Sequence, residues 1–409
     1  MTAMTTQALE SVLGGIRIVD MTSVVMGPLA TQVLGDFGAD VIKVESPEGD
    51  TTRRVGPMRS PMMGWVYLHL NRNKRSLVLD LKQHAARDAL MRLVKTSDVL
   101  VASVRPAALE RLGITHATLS EANPRLIWVS LVGFGSGPYA GKPVYEDLIQ
   151  GLTAVPSLLV RAGSAEPHYV PVSFNDRMVG MQAALSIALA LFHRERTGQG
   201  QMVEVPMFET MAQHVLGDHF GGMSFEPSMG PPGYLRTLNA ERRPYRTLDG
   251  HVCVIIYTDG HWKRFMALIG KSAQFESDPR LRDIGARTVH ASELYGLISD
   301  QMPLRTTAQW LADLDAADIP AAQLHTLDSL FDDPHLLATG TIAEADHPTE
   351  GRIREVRPPA GWSLTPPVIR RRAPRFGQDS EAVLRDAGLA SSEISQLIAT
   401  GATRVATTP

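Results

Sequence analysis

The sequence predicts an α/β fold built on a mostly parallel sheet. Three observations carry that expectation. Short apolar runs rich in β-branched residues recur through the first half, segments of helical spacing lie between them, and Gly, Pro and Asn-Asp mark the joints. Strands that alternate with helices imply βαβ units and a sheet covered on both faces.

Taken in order, the first dozen residues (MTAMTTQALESV) are polar and expected to fray. Ile16–Met21 reads as the first strand. Gly27-Pro28 then opens a helical pattern over Leu29–Phe37. Asp40–Val44 and Arg75–Leu81 read as the second and third strands, and Lys82–Lys95 as a helix. Asp98–Val101, Leu126–Leu131 and Met202–Pro206 complete the strand set. The clearest helix runs from Arg177 to Arg194. It follows Asn175-Asp176, both good N-cap residues, and the glycines of Arg196–Gly200 stop it. Phe208–Asp218 resumes helical spacing.

Between Gly221 and Pro244 the composition turns to Gly, Pro, Met and Arg, which marks a boundary or a mobile loop. Arg246–Tyr257 reads as a hairpin about Asp249-Gly250. With helical patterns at Trp262–Ile269 and Ala308–Ala316, it suggests a smaller α+β unit. Pro358–Gly377 is rich in Pro and Arg, and Glu381–Ala387 with Ser391–Ala399 forms a closing helical pair.

Composition narrows the function. A chain of 409 residues supports two to three domains and a large core. A net charge of −3 leaves no basic field for nucleic acid. One cysteine, Cys253, excludes an intramolecular disulfide framework and a Cys-rich zinc site. With no secretory segment, it points to a reducing, cytoplasmic setting. Met181–Phe192 is too short to span a membrane.

No single motif decides the chemistry. Asp176 reads either as a helix cap or as a carboxylate nucleophile that helix N–H groups and the dipole keep ionised. Gly133–Pro138 (GFGSGP) lacks dinucleotide-loop spacing, which disfavours a nicotinamide oxidoreductase, and reads as a mobile loop. No P-loop, HExxH or lipase elbow occurs. His116, His214 and His219 lack metal-ligand spacing, so no metal is expected. The cluster Asn71, Asn73, Lys74 and Arg75 is a solvated turn or a phosphate clamp. Glu45, Asp50, Arg53 and Arg54 read as a surface ion-pair group, and Tyr145-Glu146-Asp147 is uninformative alone.

Several blocks in order do match a family. Gly15–Asp20 (GIRIVD), Gly27-Pro28, Leu34–Glu45 (LGDFGADVIKVE), Gly49-Asp50, Asn73–Lys82 (NKRSLVLDLK), Asn123–Ile127 (NPRLI), Thr197–Gln201 (TGQGQ), Asp333–His335 and Gly377-Gln378 resemble the class III CoA-transferases. That family also holds the α-methylacyl-CoA racemases. The resemblance implies a Rossmann-like large domain over residues 1–228, a small α+β domain over 229–326, and a segment 327–409 returning to the large one. It implies an interlocked homodimer and CoA as co-substrate, with no tightly bound cofactor. It also turns the reading of Asp176 from cap to nucleophile: an acyl-CoA and a carboxylic acid would exchange CoA through an aspartyl anhydride and an aspartyl–CoA thioester.

Carried over position by position, Val25 and Met26 border CoA, Leu79 to Lys82 border the adenine, and Val144, Tyr145 and Glu146 follow the pantetheine arm. Ser103, Val104 and Arg105 stand where the family often has Asn-Phe, Arg111 matches a phosphate-contacting Arg, and Glu146 matches an acid beside the reacting carboxylate. Two departures matter. Ser46 stands where an Arg commonly reaches the phosphates, leaving Arg53, Lys74 or Arg105 to supply the charge. Leu235–Pro244 carries Arg236, Arg242 and Arg243 in place of a glycine run, which suggests a dicarboxylate substrate. Tyr145 occupies the racemase His position, and a phenol is a poor base at neutral pH, which favours transfer over racemisation. A non-catalytic CoA-binding protein, with Asp176 as a cap, is the remaining alternative.

Overall fold

The computed structural model describes residues 11–406. The expected frayed N-terminus therefore lies, apart from Ser11 and Val12, outside the described residues. Six parallel strands form the main sheet: β1 (Arg17–Met21), β2 (Asp40–Glu45), β3 (Lys74–Val78), β4 (Val99–Ala102), β5 (Ile127–Val132) and β6 (Met202–Pro206). Their spatial order is β3-β2-β1-β4-β5-β6. The chain first builds outward from β1 through β2 and β3, then returns to the other side of β1 with β4. The connections after β1 and β4 therefore diverge and leave a crevice at the carboxyl ends of the strands.

Alternation along each strand feeds two apolar layers. Val19, Ile42, Leu77 and Leu100 face one side, where Ala89, Leu90 and Leu93 of one helix pack with Val383, Leu384 and Leu397 from the C-terminal pair. Ile18, Val41, Val99 and Val129 face the other, against Ala30, Leu34, Val179, Ala183 and Ile187. Both faces are covered, so the central strands read as continuous apolar runs rather than as alternating ones. The helices include α1 (Met26–Asp36), α2 (His84–Lys95), the short α3 (Pro106–Arg111) and α4 (Glu146–Leu152), α5 (Phe174–Thr197) and α6 (Met207–His219).

By contacts the chain divides into two units. One holds residues up to Ile149, Val172–Met211 and everything from Pro334 on; the other holds Gln150–Pro171 and Ala212–Asp333. The second unit thus begins before residue 229 and also takes in a short excursion from the first half. It has a three-stranded antiparallel sheet, β7 (Tyr245–Arg246), β8 (His251–Val254) and β9 (Ala321–Gln323), the first two forming the hairpin expected at Asp249-Gly250. Helices α7 (Asp259–Leu268), α8 (Ala291–Gln301) and α9 (Thr307–Ala316) enclose its core of Trp262, Phe265, Leu294, Ile298 and Trp310. After it, β10 (Ile342–His347) and β11 (Gly351–Val356) pair antiparallel, and α10 (Ser380–Asp386) and α11 (Ser391–Ala399) close the first unit.

One difference from the expected elements bears on function. Helix α5 starts at Phe174, with Ser173 as its cap residue, not after Asp176. Asp176 lies within the first helical turn, so the reading of its side chain as a cap is incorrect.

Candidate active site

An open cavity of about 1340 Å³ lies at the carboxyl ends of the sheet strands. It sits at the reversal in strand order, where open α/β sheets bind ligands. Four connections line it. The turn after β1 gives Val24, Val25 and Met26; the one after β4 gives Ser103, Arg105 and Arg111; the one after β5 gives Gly133–Ser136 and Lys142–Glu146; Glu204 and Met207 come from β6 and the start of α6. Asp176 reaches it from α5.

The position of Asp176 follows from a helix crossing. Helices α1 and α5 pack closely at Gly180, where a Cβ would lie 2.6 Å from the Met26 carbonyl oxygen. Only glycine permits this approach, and it brings the first turn of α5 beside the start of α1. The α5 N-terminus is capped from outside. The Glu146 carboxylate accepts the backbone N–H of Asp176 at 2.9 Å (Oε2) and that of Asn175 at 3.4 Å (Oε1), while Asn175 Nδ2 donates to the Glu146 carbonyl. These amides are the unsatisfied donors of a helix start.

This arrangement reverses the electrostatics expected from sequence. The helix amides serve Glu146, and no hydrogen bond is made to the Asp176 carboxylate among the described residues, so the stabilisation anticipated for its charge goes to its neighbour. Burial, then the Glu146 charge, pushes the Asp176 carboxyl up to about 6 against the opposing pull of Arg177. The group is thus a half-buried carboxylate at a cavity wall, ionised at neutral pH but poorly stabilised. That is the condition of an activated nucleophile.

Nine of the residues expected from sequence line this one cavity: Val25, Met26, Ser103, Arg105, Arg111, Val144, Tyr145, Glu146 and Asp176. Tyr145 is 71% exposed. Four expected residues do not line it. Val104 packs against the core, and Leu79, 1% exposed, is part of it, so its side chain cannot meet a ligand. Exposed Ser46 and Lys82 lie past the ends of β2 and β3, both near Glu48, to which Ser46 hydrogen-bonds.

Two readings of charged residues are corrected. Arg53 and Lys74, named as substitutes for the phosphate-binding Arg, are fully buried: Arg53 pairs with Glu45 at 2.7 Å and Lys74 with Asp20 at 2.9 Å. The Asn71–Arg75 cluster is therefore neither a solvated turn nor a phosphate clamp, because Lys74 faces inward and Arg75 is taken up by Asp40 and Asp386. Of the group Glu45, Asp50, Arg53 and Arg54, the first three are likewise interior and only Arg54 is exposed. Arg105 does line the cavity and, with Arg111, has no acidic partner among the described residues. Lys142, missed in the sequence reading, joins them with its ammonium 4.5 Å from the Tyr139 ring centroid. Its signal was its place in AGKPVYE, two residues before the block expected along pantetheine. No cluster of metal-ligating side chains occurs among the described residues.

Known proteins resolve the family. The model of CoA-transferase family III matches residues 13–380. The chain belongs to CoA-transferase family III. A formyl-CoA:oxalate CoA-transferase of Afipia carboxidovorans is 32% identical over 420 residues, covering 95% of this chain and 97% of that one. A succinate–glutarate CoA-transferase of Agrobacterium fabrum is 31% identical, covering 91% and 95%. Among solved structures, an aspartate-to-alanine mutant of Rv3272 from Mycobacterium tuberculosis superposes with a TM-score of 0.78 at 28% identity, covering 91% of this chain and 98% of that one. A CaiB/BaiF family protein from Brucella suis gives 0.76 at 28% identity, covering 92% and 100%. This family III chain is accordingly a CoA-transferase that acts on carboxylates and uses CoA as co-substrate.

Proposed function

We propose that Asp176 carries the acyl group during transfer. The observation that supports this is its ionisable carboxylate, without a hydrogen-bond partner among the described residues, on the wall of a cavity large enough for CoA. A carboxylate oxygen of Asp176 attacks the thioester carbon of the donor. The new C–O bond forms as the C–S bond breaks, leaving a mixed anhydride and CoA thiolate. The thiolate attacks the aspartyl carbonyl, gives an aspartyl–CoA thioester and releases the donor acid. The acceptor carboxylate attacks that thioester and forms a second anhydride. The thiolate then takes the acceptor acyl group, and Asp176 returns as carboxylate. Every intermediate keeps an activated acyl bond, so no ATP is consumed. Glu146 acts by holding the first turn of α5 and by raising the energy of the Asp176 charge.

In this reading Arg105, Arg111 and Lys142 hold the CoA phosphates, with Val25, Met26, Val144 and Tyr145 along the pantetheine arm and Ser103 and Val104 in the β4 connection beside them. The adenine extends toward Ser46, Leu79 and Lys82, with Leu79 offering backbone only. The relatives named above include oxalate, succinate and glutarate in their names, which supports a dicarboxylate as one substrate. Of the three arginines in Leu235–Pro244, Arg242 is the one with no acidic partner or ring contact among the described residues. Arg236 is committed to the Tyr295 hydroxyl and the Tyr257 ring, and Arg243 to Glu241.

The working form is a homodimer. Helix α5 presents Met178, Met181, Leu185, Leu189 and Phe192 at helical spacing, all between 36% and 62% exposed, and an apolar stripe of that length needs a partner. No helix among the described residues is long and apolar enough to cross a membrane, and we place the enzyme in the cytoplasm.

The test is exchange of label between CoA thioesters and free acids, screened over mono- and dicarboxylic acids. Asp176→Asn should abolish exchange while leaving CoA binding in place. Full exchange by that variant would refute the nucleophile, and binding without exchange by the parent would favour a non-catalytic CoA-binding role.

A further inference from the structure

A second charged cluster lies directly behind the cavity wall and takes no part in the chemistry above. The segment from Thr22 to Pro28 carries the wall residues Val24, Val25 and Met26. Val24 sits there at φ 69°, a left-handed conformation that is a genuine outlier for a β-branched residue. Such strain persists only where the surroundings over-determine it. The same segment folds so tightly that a Cβ on Gly27 would lie 2.3 Å from the Thr22 Cβ.

The surroundings here are fully buried charges. Asp50 Oδ1 accepts the Val24 N–H at 3.3 Å, and its other oxygen lies 3.0 Å from Lys43 Nζ. Lys43 Nζ in turn donates to the Thr22 carbonyl at 2.9 Å. Asp20 accepts from the Thr22 backbone, and Lys74 donates both to Asp20 and to the Pro28 carbonyl. The segment is therefore gripped at Thr22, Val24 and Pro28 by side chains from β1, β2, β3 and the turn after β2. None of Lys43, Asp50, Asp20 and Lys74 lines the cavity.

Folding alone does not call for such a cluster. Replacing a buried ion pair by apolar side chains of similar volume is often neutral or stabilising. We propose that Lys43 and Asp50 are positioning residues for CoA: acting through Thr22 and Val24, they hold the β1–α1 turn in the strained shape that its ligand-facing wall requires. This rests on the reading of the cavity as the CoA site.

The test uses the full chain and CoA itself, with Kd from isothermal titration calorimetry. The apolar double variant Lys43→Met/Asp50→Leu should bind CoA about tenfold more weakly, since a relaxed turn must be strained again on binding. Adding Val24→Gly to it should recover at least half of that loss on a logarithmic scale, because glycine adopts the left-handed conformation without a grip. A purely structural role gives no such rescue. In the parent, Val24→Gly should raise Tm by about 1–3 °C through relief of strain. Parent-like CoA binding by the double variant, a loss that Val24→Gly leaves untouched, or a Tm lowered by Val24→Gly in the parent would each overturn the proposal. If the double variant does not fold, the Tm of the single variant decides. Failure of the parent to bind CoA would instead remove the reading of the cavity, and this proposal with it.

Discussion

Asp176 is the proposed nucleophile, and its electrostatics make two predictions. In the folded protein its carboxyl keeps its proton up to about pH 6, against an ordinary value of 3.8. Between those values the folded state binds more protons than the unfolded one, so stability falls as pH rises through the window. Above it, the charged carboxylate costs the fold at most about 3 kcal/mol. Asp176→Asn should therefore raise Tm at pH 7.5 and leave it unchanged at pH 3.5, as measured by calorimetry. The second prediction concerns rate. The nucleophile must be ionised, so kcat/KM should fall on the acid side with an apparent pKa about 6. Glu146→Gln removes the neighbouring charge and should move that limb to lower pH. An unmoved limb would assign it to another group. The sequence suggested this residue but not its state: a helix start near Asp176 was legible, whereas the capture of its amides by Glu146, thirty residues earlier, was not.

At the scale of elements, the closeness of α1 and α5 sets the site. Gly180→Ala places a methyl against the Met26 carbonyl and should cost about 1–3 kcal/mol. Because the shift falls on the turns that carry Met26 and Asp176, kcat should drop by more than the stability loss explains while the protein remains folded. Circular dichroism and turnover, read together, check this. Strands were legible to within one or two residues where apolar runs were β-branched and bounded by turn residues, as at Asp40–Glu45 and Met202–Pro206. The start of α5 was misread because Asn175 and Asp176 are good caps by type, while Ser173 holds the cap position without a side-chain bond and a distant glutamate takes the amides. The burial of Lys43, Arg53 and Lys74 was illegible for a related reason. A charged residue looks solvated until the chain is seen to fold its partner inward with it: Lys74 onto Asp20 of another strand, Lys43 and Arg53 onto Asp50 and Glu45 across the turn after β2.

For the molecule as a whole, strand order turns local motifs into a site. Arg105 and Arg111 follow β4, and Val25 and Met26 follow β1; they face one cavity only because the sheet reverses between those strands. Ordered sequence blocks made the family legible, but they could not say that Leu79 is core or that Lys142 lines the cavity. Binding should reflect the unpaired cations there. Arg105→Ala and Lys142→Ala should each weaken CoA by about tenfold, on the order of one charge-assisted hydrogen bond, with a weaker salt dependence than the parent. Titration at two ionic strengths checks this.

The most direct measurement is peptide mass spectrometry of the enzyme quenched during turnover with hydroxylamine. An anhydride or thioester on Asp176 should be intercepted as a hydroxamate, adding its mass at that residue only when acyl-CoA is present. Turnover at the full rate with the Asp176 peptide unmodified under every quench would contradict covalent transfer through this carboxylate.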